Sequence, residues 1–452
     1  MTSKEQTTDN EPPRRFRFQY SLRTLFIFVS VFGVLLGWFG AGLRSAINQR
    51  AAVRAIQKAG GEVWYDYQVD FSVGVGFLGD PLFRNKKDVR IPTGEQVLPG
   101  PAWLRDLLGV DFLSDVVVVR MKPDVVKTDD RLHVDHAVFA HLESLPRLRC
   151  LWLALINFGD EHVSHLKNLH DLEELCLTCT DITDAGLARL PSFPRLYRLY
   201  IVNTEITGSG LMELERFPGL EELAVSLTPV NDDDMKHIGK LHELKELILA
   251  GTRISDSGLC HLKNLRKLES LCLNRCQISG VGLEHLQGLE KLVYLDMFYT
   301  QANDEQLKYL AKLESLEDLG LGCTGISNAA LVHLRSMKSL RRLYLPETAV
   351  GGEQFAAMAE LTGLRTLDLD DTQITDADMV HIAKLRQLEE LSLNNTQITE
   401  TGIKHIESLP NLRRLSLHGI EISYAQQKRL RGMKSMKALT MRPGDDVFYW
   451  NN

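Results

Sequence analysis

The sequence lacks the short motifs that mark common catalytic sites. No GxSxG nucleophile elbow, P-loop, HExxH zinc motif or dinucleotide fingerprint occurs in its 452 residues. It also lacks a basic excess, since 52 Lys and Arg stand against 59 Asp and Glu, for a net charge of −7. A cationic surface for nucleic acid is therefore not expected. We expect a protein that is not an enzyme, carries no cofactor and binds no nucleic acid.

Cysteine is scarce and irregularly placed. There are seven, and an odd, scattered set argues against a disulfide framework. Cys176 and Cys179 form one CxxC at a predicted strand, where three extended residues span about 10 Å, beyond the roughly 7 Å that a disulfide allows. No second CxxC completes a zinc site. We interpret the cysteines as small residues tolerated in a repeat, and we predict no metal site.

The sequence is rich in one repeated motif of 24 residues, which occurs twelve times from residue 148 to residue 435 without insertion. Positions 1, 4 and 6 are apolar, and positions 4 and 6 give the period of a strand with one buried face. Position 9 is Thr in nine units. Position 12 is Ser, Thr, Asn or Gly and is often followed by Asp, as at a helix N-terminus. Apolar positions 16, 19 and 22 predict a short helical or 3₁₀ return.

Such a unit cannot bury its own apolar face, whereas stacked copies can. The pattern LxxLxLxxTxITDxGLxxLxxLxx resembles the leucine-rich repeat, in the variety with Thr at position 9. The resemblance implies an α/β solenoid with a curved parallel sheet on the concave side and short helices on the return side. It also leads us to expect that the position-9 Thr bonds backbone groups of adjacent turns.

One long apolar run precedes the repeats. Leu25 to Leu43 is free of charge over 19 residues and as a helix would span roughly 28 Å, about the thickness of a bilayer core. Trp38 and Phe39 suit a membrane interface. We predict an uncleaved transmembrane helix over residues 24–43. A cleaved signal peptide is the alternative, and a buried core helix is disfavoured because the run has no polar face.

Arginines before the span favour an N-terminus on the inner side. Residues 1–23 would then be a disordered, Arg-rich tail, and the repeats would lie on the outer, periplasmic side of an inner membrane. For residues 44–147 we predict a juxtamembrane helix that Gly60 and Gly61 end, followed by an N-terminal cap. The cap contains a strand or hairpin at EVWYDYQVDF, an irregular stretch at 72–100, a short helix in PAWLRDLLG and a strand at 115–121. Residues 436–452 read as a thirteenth strand and a C-terminal cap in which Phe448, Tyr449 and Trp450 cover the open end.

The stretches SLRTLF, AIQKAGGEVWYDYQ and PGPAWLRDLLGVDFLSDVVVV extend the resemblance over nearly the whole chain. Together with the span and the Thr-type repeats, they resemble a class of membrane-anchored leucine-rich-repeat proteins abundant in planctomycete bacteria. That class implies no catalytic residues. The repeats are also similar to those of F-box ubiquitin-ligase subunits, but this similarity stops at residue 148, because the span and the cap occupy the place of an F-box.

Histidine recurs at position 18 of seven units. A pH-sensing or metal-binding stripe along the return side is conceivable, but missing units interrupt it. We therefore interpret these residues as structural neighbours of the return helix. They are His165, His237, His261, His285, His333, His381 and His405.

The predicted binding surface consists of the strand positions 3, 5, 7 and 8, which should face the concave side. Aromatic and acidic residues gather there in the units that begin at 292, 316, 340 and 364, and exposed aromatics beside charge are typical of interaction sites. Drift on a tolerant surface and, for the aspartates, a cation site are the alternatives. The candidate residues are Tyr294, Asp296, Phe298, Tyr299, Asp318, Tyr344, Glu347, Asp368, Asp370 and Asp371.

The function expected from these features is that of a membrane-anchored scaffold that binds an unknown basic protein or a glycan. The first alternative is a structural envelope component that associates with itself. A ubiquitin-ligase-like adaptor or a hydrolase with a pocket in the cap is a less favoured third reading.

Overall fold

A computed structural model describes residues 22–69, 98–122, 132–352 and 355–441, with side chains from residue 26 onward. Residues 1–21 of the predicted N-terminal tail, most of the irregular stretch at 72–100 and the aromatic C-terminal tail lie outside the described residues. Residues 22 and 23, which we assigned to the disordered tail, are helical. The described chain forms a single mixed sheet beside short helices. The predicted α/β solenoid is confirmed.

The sheet has fifteen strands whose spatial order follows the sequence. β1 pairs antiparallel with β2. From β2 onward the strands are parallel, and from β3 onward each residue pairs with the residue 24 positions later, as Leu295 does with Leu319. The strands are β1 Glu62–Tyr65, β2 Val116–Met121, β3 Cys150–Leu153, β4 Glu174–Cys176, β5 Arg198–Tyr200, β6 Glu222–Ala224, β7 Glu246–Ile248, β8 Ser270–Cys272, β9 Tyr294–Asp296, β10 Asp318–Gly320, β11 Arg342–Tyr344, β12 Thr366–Asp368, β13 Glu390–Ser392, β14 Arg414–Ser416 and β15 Ala438–Thr440.

The return segments between strands are short α-helices or 3₁₀ helices, whereas the long helix α1 precedes the first strand. The α-helices are α1 Leu22–Lys58, α2 Ala102–Leu108, α3 Ala137–Ala140, α4 Asp184–Arg189, α5 Gly208–Met212, α6 Met235–Ile238, α7 Asn328–Leu334, α8 Met379–Ile382, α9 Glu400–Ile406 and α10 Tyr424–Arg431. The 3₁₀ helices are Asp66–Gln68, Val110–Phe112, His141–Ser144, Val163–Leu166, Glu213–Arg216, Asp232–Asp234, Gly258–Asn264, Val281–Leu286, Asp304–Lys312 and Phe355–Glu360.

The apolar run and the juxtamembrane helix form one continuous helix, α1, of 37 residues. The division that we predicted at residue 43 is absent from it, because the residues that follow are also helix formers. Gly60, at φ +83°, ends the helix. Its first half is apolar and exposed, and it is long enough to cross a membrane by length and composition. Its second half buries Ala52, Val53 and Ile56 against the cap.

One continuous core runs through the stacked units. Leucines at positions 1, 4 and 6 contribute to it in register; Leu292 and Leu295, for example, have no exposed surface. Each unit therefore buries its apolar face against its two neighbours, which is the basis of solenoid stability.

The position-9 threonines close turns within their own unit. Each donates its hydroxyl to the carbonyl oxygen three residues earlier, as Thr180 does to Leu177 at 2.7 Å. Our expectation of bonds to adjacent turns was wrong, because the chain turns sharply enough to bring that carbonyl closer. The same bond is formed by Thr204, Thr228, Thr252, Thr300, Thr324, Thr348, Thr372 and Thr396.

The position-13 aspartates tie neighbouring units together. Asp160 accepts hydrogen bonds from the N–H of Thr183 at 2.9 Å and from its hydroxyl at 2.6 Å. Thr183 in turn accepts the N–H of Ala185 as the N-cap of α4. An acid at a helix start thus also fixes the N-cap of the next unit. The pairing recurs at Asp184–Thr207, Asp232–Ser255, Asp256–Ser279, Asp304–Ser327 and Asp376–Thr399.

Position 8 adopts a left-handed backbone conformation in every described unit. Tyr299, at φ +56°, donates its N–H to the carbonyl of Gly322 in the next unit at 3.1 Å. The turn therefore preserves one more bond between units while it directs the chain away from the strand. This conformation costs an L-residue roughly 1–2 kcal/mol, so it persists because the repeat imposes it. Leu155, Cys179, Asn203, Leu227, Gly251, Arg275, Cys323, Glu347, Asp371, Asn395 and Gly419 share it; we call this row the rim.

Candidate functional site

The candidate residues lie on the strand face opposite the core or on the rim beside it. Tyr294, Asp296, Asp318, Tyr344 and Asp368 are on strands β9 to β12. Phe298 and Asp370 follow strands at position 7, and Tyr299, Glu347 and Asp371 belong to the rim. Their exposure divides them into a buried set and an accessible set. Tyr294, Asp296, Phe298 and Asp318 are at most 9% exposed, which corrects our expectation that all of them form an open surface.

Phe298 is buried because the next unit has no side chains where its ring lies. Gly320 and Gly322 occupy positions 5 and 7 of that unit. A Cβ atom added at either glycine would come within 2.7 Å or 2.3 Å of the Phe298 ring. The ring therefore packs against the backbone of β10 and the residues after it, and serves the sheet rather than a partner. Two glycines two residues apart, one unit after an aromatic residue, are the sequence signal for this packing.

Asp296 is buried within a polar network. Its carboxylate accepts hydrogen bonds from the Tyr294 hydroxyl at 3.0 Å, the Asn274 amide at 2.9 Å and the Phe298 N–H at 3.2 Å. Asn274 also accepts the Phe298 N–H at 2.9 Å. Asp318 is likewise engaged, since it accepts from Arg342 Nε at 2.6 Å. These acids hold the ends of strands in place.

The aspartates at the end of β12 combine a structural role with partial exposure. Asp368 accepts the N–H of Asp370 at 3.0 Å, and Asp370 accepts the N–H and side-chain amide of Asn394, both at 2.8 Å. Asp371 accepts from the Asn395 amide at 3.0 Å. Desolvation, followed by the charge of Asp370, raises the pKa of Asp368 to about 8. Desolvation also raises the pKa of Asp370. Desolvation and the neighbouring negative charge therefore destabilise the charged form of these aspartates, and a nearby cation would stabilise it.

The accessible part of the surface is the rim and the open end of the strand face. Tyr299 is 51% exposed, and the guanidinium carbon of Arg275 lies 4.8 Å from its ring centroid. Glu347 and Asp371 are exposed, and Tyr344 is half-buried. A shallow polar depression on the rim is lined by Glu347, Thr348, Ala349, Asp371, Thr372 and Gln373. It offers carboxylates and amide or hydroxyl groups to a ligand.

The strand face of the earlier units has a different character. Cys176, Tyr200, Val202, Ile248 and Cys272 belong to an apolar cluster there. A charged row runs beside it at position 3, where Arg198 contacts both Glu174 and Glu222 across three strands. These residues are buried except for Glu222, which is half-buried, so this half of the face presents little free polar surface.

Two of the position-18 histidines lie within hydrogen-bonding distance of a glutamate in the described structure, whereas Nδ1 of His381 is buried without a hydrogen-bond partner. His165 contacts Glu143 at 2.8 Å and His237 contacts Glu215 at 3.1 Å, each one unit away. This agrees with our structural interpretation of position 18.

His136, Glu161 and His162 bring three possible metal-ligand atoms within 4.8 Å of one another. However, Nδ1 of His162 accepts the N–H of Gly159 at 2.9 Å, and its Nε2 contacts His136. Neutral His162 therefore carries its proton on Nε2 and keeps no lone pair for a metal ion. Desolvation lowers the pKa of His162, which favours this neutral form. We interpret the cluster as a structural contact between the cap and the first repeat unit.

One family model matches the C-terminal part of the repeats. The family model described as Leucine rich repeat matches residues 356–442. The described part of this segment has the same strands, position-9 turns and rim as the preceding units. This match assigns residues 356–442 to the leucine-rich-repeat family, and the described chain has the fold of a leucine-rich-repeat solenoid. No curated protein matches the chain.

Several solved leucine-rich-repeat structures are similar to this protein. An internalin, InlF, from Listeria monocytogenes has 23% identity and a TM-score of 0.47, and the match covers 62% of this chain and 88% of the internalin. A Leptospira interrogans LRR protein has 18% identity and a TM-score of 0.46, over 66% and 80% of the two chains. The Arabidopsis HAESA ectodomain, solved with a peptide hormone ligand, has 19% identity and a TM-score of 0.45, over 66% and 55%. With TM-scores below 0.5, these similarities add nothing to the assignment.

Proposed function

We propose that this leucine-rich-repeat protein is a membrane-anchored scaffold that binds another macromolecule through the rim and the open end of its concave face. The observation that carries the proposal is the row of exposed side chains on the rim, from Tyr299 through Glu347 to Asp371. A backbone bonded from unit to unit holds them in fixed positions. Solenoids characteristically bind partners on such extended concave surfaces.

The chemistry of the rim favours a basic protein segment or a glycan as the partner. Glu347 and Asp371 line one depression. Asp368 and Asp370 lie in the same repeat unit as Asp371, and Asp368 accepts the N–H of Asp370. A cation here would lower the cost of keeping Asp368 charged. Tyr299 offers an aromatic face for stacking against an aliphatic stem, a guanidinium group or a sugar ring. The proposal contains no catalytic step.

The anchor in this proposal is the exposed apolar half of α1. Phe26, Trp38 and other large side chains on it are more than half exposed, and none of its apolar window is buried in the described structure. In a bilayer these side chains would contact lipid. Because arginines precede the span, we place the N-terminus inside and the repeats on the periplasmic side of an inner membrane.

The topology is tested with a membrane-impermeant maleimide in intact cells whose outer membrane has been permeabilised. We expect Val332→Cys, on the exposed side of α7, to react, and Ser3→Cys, in the N-terminal tail, to react only after lysis. Both changes are made in a background with Cys179, Cys260 and Cys323 replaced by Ser, because these are the native cysteines with exposed surface. The reverse labelling pattern would invert the orientation, and a trimmed soluble form would make the run a signal peptide.

A further inference from the structure

The cap carries a second exposed apolar feature, on helix α2. Trp103 is 66% exposed and Leu107 is 71% exposed. They are four residues apart and so lie on the same side of the helix. The nearby Leu98 is 46% exposed. Large apolar side chains left in water side by side indicate a surface that meets another apolar phase.

The position of α2 is fixed relative to α1. Phe112, in the 3₁₀ helix that follows α2, lies 5.4 Å from Phe39 between ring centroids and 3.4 Å from where a Cβ atom at Gly42 would be. Arg50 of α1 donates to the carbonyl of Leu108 at 2.8 Å and pairs with Asp111 at 2.9 Å. The end of α2 is thus tied to α1 where the apolar half stops.

The contacts of this segment with α1 bracket the depth of a lipid headgroup layer. Phe39 and Gly42 are in the last turn of the charge-free run, and Arg50 is seven residues beyond Leu43, or about 10 Å along a helix. The headgroup region is about 5–8 Å thick on each side of the hydrocarbon core. The segment from Leu108 to Phe112 contacts α1 between Phe39 and Arg50. It therefore lies near the depth at which Trp side chains concentrate in membrane proteins.

The polar residues of α2 are compatible with that depth. Arg105 turns back to the carbonyls of Leu98 and Pro99, each at 3.4 Å. Asp106 is exposed and would stay in the hydrated layer. Asp106 is three residues after Trp103 and therefore lies beside it, so we place this contact at the hydrated boundary of the bilayer and not in the acyl core.

We propose that α2 is a second membrane contact, with Trp103 and Leu107 in the headgroup–acyl boundary of the leaflet that α1 leaves. The partner is a lipid surface. This inference rests on the proposed anchoring by α1 and adds a fixed orientation, because two contact points stop the repeat domain from rotating about a single helix.

The test uses the full-length protein in phosphatidylcholine vesicles, with and without brominated acyl chains that quench nearby tryptophan. The emission of Trp103 is obtained by subtracting the emission spectrum of Trp103→Phe from that of the wild type. We expect that difference to be shifted to shorter wavelengths relative to tryptophan in water, and to lose more than half its intensity in brominated lipid. In Leu107→Asp the quenching of Trp103 should fall, while the far-ultraviolet circular dichroism of the repeats stays unchanged.

Trp38, on the apolar half of α1, reports on the anchor independently of Trp103. It therefore distinguishes failure of the second contact from failure of the anchor itself. If Trp103 emits as in water and is insensitive to bromine while the remaining emission in Trp103→Phe is quenched, the anchor stands and the second contact is overturned. If bromine affects neither, both the anchor and the contact are overturned.

Discussion

Replacement of Leu295 by Ala is expected to lower the free energy of unfolding by roughly 2–5 kcal/mol, the usual range for removing a buried leucine side chain. Leu295 has no exposed surface, and its strand pairs with β8 and β10 through Leu271 and Leu319. The cavity would therefore face two neighbouring units. Denaturant unfolding of the full-length protein in detergent, followed by circular dichroism, measures the change.

Two further variants test whether the loss of stability depends on the burial of the substituted residue. Asp296→Ala should cost about 1–3 kcal/mol, because it removes the carboxylate that accepts hydrogen bonds from Asn274 and Tyr294. Gln301→Ala, at an exposed site six residues after Leu295, should cost less than about 0.5 kcal/mol. Equal losses for Leu295→Ala and Gln301→Ala would show that the assigned register is wrong.

Reversing the charge of the rim with Glu347→Lys and Asp371→Lys together is expected to weaken capture of a basic partner by about 10–100-fold. Like charges brought together at an interface cost several kcal/mol before relaxation, and a tenfold loss corresponds to about 1.4 kcal/mol. The measurement is the amount of partner that co-purifies from native membranes with each variant. The matched control is Glu290→Lys with Glu314→Lys, an exposed pair one unit apart at position 23; it makes the same change in net charge and should leave capture intact.

The same surface should show a pH dependence set by Asp368. Its raised pKa means that folding favours the neutral acid, so the stability of the free protein should fall as pH rises from about 4 through about 8. A basic partner stabilises the carboxylate instead, and its binding should strengthen between about pH 6 and pH 9. Asp368→Asn should flatten that increase. An unchanged profile would remove Asp368 from the binding surface.

Much of the fold could be predicted because the repeat constrains each unit in the same way. The 24-residue spacing determined strand register, and the alternation of Leu175 and Leu177 with variable residues predicted the buried face. The Ser, Thr and Asn residues at position 12 predicted the N-caps that Thr183 and Asn231 form. These are local features with strong physical causes, so twelve copies reinforce one another.

The exposure of the candidate residues could not be predicted from their strand positions alone. Alternation shows that Phe298 points away from the core, but its burial depends on the absence of side chains at Gly320 and Gly322 in the next unit. The carboxylate of Asp296 is enclosed by residues of its own and the preceding unit. Burial on the strand face opposite the core depends on the side chains of neighbouring units. It can be predicted only by comparing the residues at the same positions in those units.

The central claim is that the rim around Tyr299 contacts a macromolecular partner in the native membrane. The most direct measurement replaces Tyr299 by a photo-crosslinking phenylalanine analogue in the full-length protein and identifies the adducts by mass spectrometry after irradiation of cells. Val332, exposed on the return helix α7, is the matched control site. The proposal predicts one dominant basic protein or glycoconjugate adduct at Tyr299 and none at Val332. Equal, unselective crosslinking at both sites would contradict it, and a dominant adduct with a second copy of this chain would show self-association instead.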